Sequence, residues 1–140
     1  NKRSIYMQKM IFALLPLFFF FLFSSANAQL KGELEFVTME HDFGKQKEEG
    51  GPLKYEFKFK NTGLGDVILK DIKASCGCTT PAWSKEPVAS GKEGTIVASF
   101  DPMNRPGYFN KSLTVMADIG GEEKIVILKI SGEIVPKPKE

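Results

Sequence analysis

Hydrophobic and polar residues alternate most plainly in "PLKYEFKFKN", Pro52–Asn61. Leu53, Tyr55, Phe57 and Phe59 fall on one side of an extended chain; Lys54, Glu56, Lys58 and Lys60 fall on the other. An unbroken period of two predicts a half-buried strand whose apolar side meets a core. "GELEFV" repeats the pattern with Leu34 and Phe36, "TIVASF" with Ile96, Ala98 and Phe100, and "NKSLTVMA" with Leu113, Val115 and Ala117. In "VILKDIKA" Val67 and Leu69 share a face, but Ile72 falls out of register, which predicts a bend or bulge. "KIVILKIS" is almost continuously apolar, through Leu128 and Ile130, and predicts a strand in the sheet interior.

Turn chemistry separates these runs. "NTGLGD" (Asn61–Asp66) reads as a turn with Gly63 at positive φ, and "DIGGEE" as a hairpin around Gly120 and Gly121. "PAWSKEPVASGKEG" carries two prolines and two glycines and predicts a short edge segment and a loop; "DPMNRPGYF" predicts another loop. "VPKPKE" closes the chain as a polar tail. About seven short strands at roughly 8–12-residue spacing, with no sustained helical period after Gln29, predict an all-β, immunoglobulin-like antiparallel sandwich.

The first 28 residues follow different rules. Lys2, Arg3 and Lys9 give a basic start, and Met10–Phe23 is uncharged. That run is short for a membrane span and suits a secretory apolar region. Ala26 and Ala28 fit a small-residue cleavage site, so residues 1–28 are expected to be a signal peptide and 29–140 one domain, with its core at about 34–135. The competing expectation is an uncleaved N-terminal anchor. No cysteine stands at the end of the apolar run, in "SSANAQ", which argues against a lipid anchor. Without the signal the balance is 16 basic against 17 acidic residues, so the formal +2 is partly a targeting charge. No basic stripe remains for phosphates, which argues against nucleic acid as a partner. An exported chain, in the periplasm or at the cell surface, can keep a disulfide.

Taken in order, "HDFG" (His41–Gly44), "FKFKNTG", "SCGCTTPAW" (Ser75–Trp83), "SGKEG" with "ASFDP" behind it, "RPGYFNKSLTV" and "ISGEI" resemble the bacterial domain-of-unknown-function family 1573, common in exported proteins of Bacteroidetes-like bacteria. The resemblance spans roughly residues 34–135. It implies an immunoglobulin-like sandwich similar to Hydin-type and sperm-protein-like domains. The family has no established activity, so the resemblance implies a fold and a compartment, and no active site.

The chemistry with most promise is the pair Cys76 and Cys78, the only cysteines. Residues i and i+2 of an extended segment share a face with Cα atoms about 6–7 Å apart, at the outer limit for a bridge. Gly77 at positive φ would tighten the turn. Three readings stay open: a structural bridge or packed turn, a redox pair, and a metal site. A domain of this size folds without a bridge, and so small a loop gains little chain entropy from one. The usual redox spacing is C-x-x-C at a helix start, and no such helix is predicted. A zinc site would have to recruit His41 and carboxylates beside Cys76 and Cys78. Copper(I) would accept the two thiolates with help from Met39, Met103 or Met116. The expectation is no cofactor, with copper as the alternative, and no catalytic residue.

The other candidates favour structural readings. His41 is the only histidine, the chain lacks G-x-S-x-G, and His41 and Asp42 point to opposite sides of a strand, so a surface or turn histidine is expected, with Phe43–Gly44 anchoring a turn to the core. Carboxylates fall on polar faces, against a glycosidase. Asn110-Lys111-Ser112 matches a glycosylation acceptor, which in a bacterial chain suggests only exposure. Trp83 is expected to plug the sandwich end beneath the cysteine turn; a carbohydrate platform would need exposure. The functional expectation is a non-catalytic binding or scaffolding module for a protein or cell-envelope component, working by surface complementarity or strand addition. The alternative is an accessory thiol–disulfide or copper-handling protein using Cys76 and Cys78.

Overall fold

The computed structural model describes residues 33–138. The expected signal peptide and its cleavage after Ala28 lie outside the described residues. Among the described residues eight strands form two four-stranded sheets. In chain order they are β1 (Leu34–Phe36), β2 (Glu40–Lys47), β3 (Leu53–Asn61), β4 (Val67–Ala74), β5 (Thr79–Trp83), β6 (Glu93–Phe100), β7 (Gly107–Ile119) and β8 (Glu122–Val135). One sheet runs β1-β3-β6-β5, the other β2-β8-β7-β4. All pairs are antiparallel except β2 with β8.

The alternating residues meet between the sheets. Phe57, Phe59, Ile96, Phe100, Leu113, Val115, Leu128 and Ile130 are buried. Leu34, Phe36, Leu53 and Tyr55 pack against them from the rim. Phe100 of one sheet stacks on Phe109 of the other, with centroids 4.0 Å apart. Burial of each such side chain contributes about 1.5–3 kcal/mol. The β7–β8 hairpin turns on Gly120 (φ 61°) and Gly121 (φ 87°), the paired positive angles a two-residue hairpin requires. The bend expected near Ile72 is a register shift between Leu69 and Asp71.

Three local expectations change. "HDFG" is not a turn but the middle of β2, an edge strand with a bulge. β2 passes from Asp42 to Lys45 while β8 passes from Ser131 to Glu133, and Gly44 (φ 65°) takes up the extra residue. Gly63 is buried and does not have a positive φ. Its turn is held by buried Asn61, whose Oδ1 accepts from the Gly63 N–H at 3.0 Å. Finally, β7 begins at Gly107, inside the expected loop, so Phe109 reaches the core.

Candidate functional site

The cysteine turn joins the two sheets, leaving β4 at Ala74 and entering β5 at Thr79. Cys76 and Cys78 form a disulfide with Cα atoms 5.3 Å apart. The turn reaches this separation without a positive φ at Gly77. Thr79 donates its N–H to the Cys76 carbonyl at 3.3 Å, and Asp101 donates to the Cys78 carbonyl at 3.0 Å. Ser75 exchanges hydrogen bonds with Ser112 of β7. Both cysteines are half-buried, and Cys78 packs against the core. The turn is therefore pinned by main-chain bonds on both sides in addition to the bridge.

The alternative metal set does not assemble. His41 lies on β2 and the cysteine turn follows β4, at opposite edges of one sheet. Three strand spacings, roughly 14 Å, separate those edges. His41 stacks on Tyr55 at 3.6 Å and meets Phe43 edge-on at 4.6 Å, as a half-buried packing residue. Of the three methionines, Met103 belongs to the loop that Asp101 anchors to the turn; Met39 precedes β2, and Met116 sits on β7 beside Ile125. Among the described residues no cluster of three or more His, Cys, Asp or Glu side chains could hold a metal ion.

Trp83 is not beneath the cysteines. It ends β5, roughly 13 Å along the strand from Thr79, opposite Ile96. Its Nε1–H donates to the Leu69 carbonyl of β4 at 3.2 Å, and the Lys85 ammonium covers the ring at 3.5 Å. It seals one side of the sandwich.

The sheet edges form the second candidate site, and sequence reasoning did not locate it. An open strand edge invites pairing with another chain, and proteins usually blunt such edges. β1 has only three residues, and β5 carries Pro81. β4 is covered by the Val67–Val88 bridge and by Trp83. β2 is bulged at Gly44, and Gln46 Nε2–H caps the Phe43 carbonyl at 2.7 Å.

β8 is different. Its pairing with β2 begins only at Lys129, although it pairs with β7 from Glu122 onward. The stretch Glu123–Leu128 therefore has no described strand on its outer side. Lys129 donates its N–H to Met39, away from β7, at 2.9 Å. By strand alternation the N–H and C=O groups of Ile127, Ile125 and Glu123 point the same way. The Ile125 and Ile127 side chains are 61% and 41% exposed. The continuous apolar run predicts a strand in the sheet interior; β8 does lie between β2 and β7, but most of that run, Lys124–Leu128, is an edge.

Two packed four-stranded sheets, with β2 lying parallel beside β8, define an immunoglobulin-like sandwich. The chain belongs to the DUF1573 family of proteins of unknown function, which matches residues 34–134. A protein of unknown function from Porphyromonas gingivalis W83 superposes with TM-score 0.63 at 15% identity, over 80% of this chain and 51% of that one. PapD-like domain 7 of human CEP192 gives 0.64 at 11% identity, over 84% and 95%. The VesB protease of Vibrio cholerae gives 0.59 at 11% identity, over 73% of this chain and 31% of that one. At these identities the likeness is one of fold. This chain spans about half of the Porphyromonas protein. No curated protein matches it. Among the described residues no helix is long and apolar enough to cross a membrane.

Proposed function

We propose that this is an exported, non-catalytic module that binds a protein or cell-envelope partner by accepting an extended segment along the outer edge of β8. Export rests on the basic start, the apolar run and the Ala26–Ala28 pattern. N-terminal sequencing of the protein from its native envelope should begin at Gln29; a retained Met10–Phe23 segment contradicts cleavage. The observation that carries the binding mode is that, among the described residues, no strand pairs with the outer side of Glu123–Leu128, which presents main-chain groups and two exposed isoleucines on a sandwich whose other edges are blunted. Main-chain bonds would supply affinity, and Ile125 and Ile127 would select apolar residues at alternate positions of the partner.

The test is selection of peptides from a displayed random library. Selected peptides should alternate apolar residues and slow amide exchange at Ile125 and Ile127. Ile125→Lys/Ile127→Lys should weaken them at least tenfold, about 1.4 kcal/mol. Peptides that protect another surface, or no enrichment at all, refute the edge as the binding site.

A second reading keeps the cysteine turn in play, because the bridge is half-exposed and the Met103 loop adjoins it. In that reading an external dithiol gives two electrons and two protons to the Cys76–Cys78 bond, leaving two thiols and becoming a disulfide itself. The resulting dithiol would be the copper(I)-binding form. Disulfide-reductase assays, and mass spectrometry of the reduced protein with copper(I), should show turnover or a one-copper adduct that Cys76→Ser/Cys78→Ser lacks. Neither signal would remove this reading.

A further inference from the structure

The opposite end of the outer face of the same sheet carries an open groove of about 420 Å³. Two cross-strand rows build it. Lys45, Glu133 and Tyr108 stand side by side on β2, β8 and β7, and Asp42, Ser131 and Asn110 form the next row. Neighbouring strands are about 4.8 Å apart and same-face residues about 7 Å apart along a strand, so the array measures roughly 10 by 7 Å. Gly44, the bulge residue, adds no side chain to this surface. Between Ser131 and Glu133, Gly132 faces the core, where a Cβ would meet the Phe109 ring at 2.8 Å and the Gly44 carbonyl at 3.0 Å, so β8 lies close against Phe109 beneath the groove.

Tyr108 makes this groove unusual. Its side chain is 86% exposed on a strand, so it contributes almost nothing to the core. Scattered exposed apolar residues need no explanation, but this ring stands over a concavity rimmed by hydrogen-bonding groups. Glu133 is steadied by Lys45, with Nζ 3.5 Å from Oε2. Asp42 uses Oδ1 to accept from the Gly44 N–H at 2.8 Å, which fixes its carboxylate at the rim. Ser131 adds a hydroxyl, and Asn110 an amide with both donors and acceptors.

We propose that this groove binds a saccharide. One apolar sugar face lies on the Tyr108 ring. The ring hydroxyls bond the Asp42 and Glu133 carboxylates and the Asn110 amide. A flat aromatic surface beside paired donors and acceptors suits a ligand that is apolar on its faces and hydroxylated around its rim. The exposed isoleucines of β8 lie beyond Lys129 at the other end of the sheet, so this site stands or falls independently of the edge.

The test uses the mature protein and short soluble oligosaccharides of glucose, xylose, mannose or N-acetylglucosamine, followed by NMR. At least one should bind saturably in the millimolar range and shift the amides of Asp42, Tyr108, Asn110 and Ser131. Tyr108→Ala should weaken it at least tenfold, Asn110→Ala several-fold, and Tyr108→Phe little. These side chains are exposed, so the variants should keep wild-type amide spectra elsewhere. No binding by any of these sugars, shifts confined to another surface, or undiminished binding by Tyr108→Ala overturns the site. Occupation of the groove by the selected peptides instead of a sugar overturns the ligand class.

Discussion

The side-chain amide of Asn61 donates to the Val88 carbonyl, 2.8 Å away and 27 residues later in the chain. The same amide donates to Gly65 at 2.7 Å, and Oδ1 accepts from Gly63 at 3.0 Å. Asn61 is fully buried, so this one side chain ties the end of β3 to the start of β4 and to the segment before β6. Each bond contributes about 1 kcal/mol, so Asn61→Ala should lower stability by about 3 kcal/mol in urea unfolding. Asn61→Asp should cost more, because a carboxylate would face two carbonyls. A loss below about 1 kcal/mol for the alanine variant would contradict this role.

Gly94 lies under the Phe59 ring: a Cβ built there would collide with three ring carbons. Phe59 is buried, so the ring has little room to move. Gly94→Ala should cost about 1–3 kcal/mol by overpacking. Phe59→Leu should lose stability alone and recover part of the Gly94→Ala loss when the two are combined. A double-mutant cycle with no coupling between these sites would show that the clash is relieved elsewhere.

How far the sequence revealed the protein depended on the local signal. Phe57 and Phe59 alternate with lysines, and that half-buried strand could be read directly. β2 could not: "EHDFGKQK" lies at an edge, is mostly polar and contains a bulge, so only His41 and Phe43 mark its inner face. Ile134 was lost beside the proline-rich tail, although it is buried. Cys76 and Cys78 were legible as neighbours, but proximity to His41 depends on strand order, which the local pattern does not encode. The open edge of β8 was hidden for the same reason. Nothing within "KIVIL" reveals that β2 begins only opposite Lys129.

The Cys76–Cys78 bridge should matter little to stability. The closed loop contains three residues, and the chain-entropy relation assigns it about 1.6 kcal/mol. The main-chain bonds from Thr79 and Asp101 do not involve the sulfurs, so they should persist without it. Cys76→Ser/Cys78→Ser should therefore fold and lose no more than about 2 kcal/mol, and reduction of the wild type should give a similar loss in urea. A loss above about 4 kcal/mol would make the bridge a principal clasp of the sheet crossover.

Amide exchange should alternate along β8, and the alternation should stop at Lys129. On Glu123–Leu128 the N–H groups of Lys124, Val126 and Leu128 point into the β7 ladder, and those of Glu123, Ile125 and Ile127 point to the open side. Buried ladder bonds open only in larger unfolding events, whereas an unpaired edge amide exchanges through solvent. Residue-resolved exchange by NMR should show slow even and fast odd positions up to Leu128. From Lys129 onward Met39 and then β2 supply acceptors, and odd amides there should also slow. Fast exchange at even positions would mean that this half of the hairpin frays. Slow exchange at Ile125 and Ile127 in the isolated protein would mean that this edge is already covered, removing the observation on which strand docking rests.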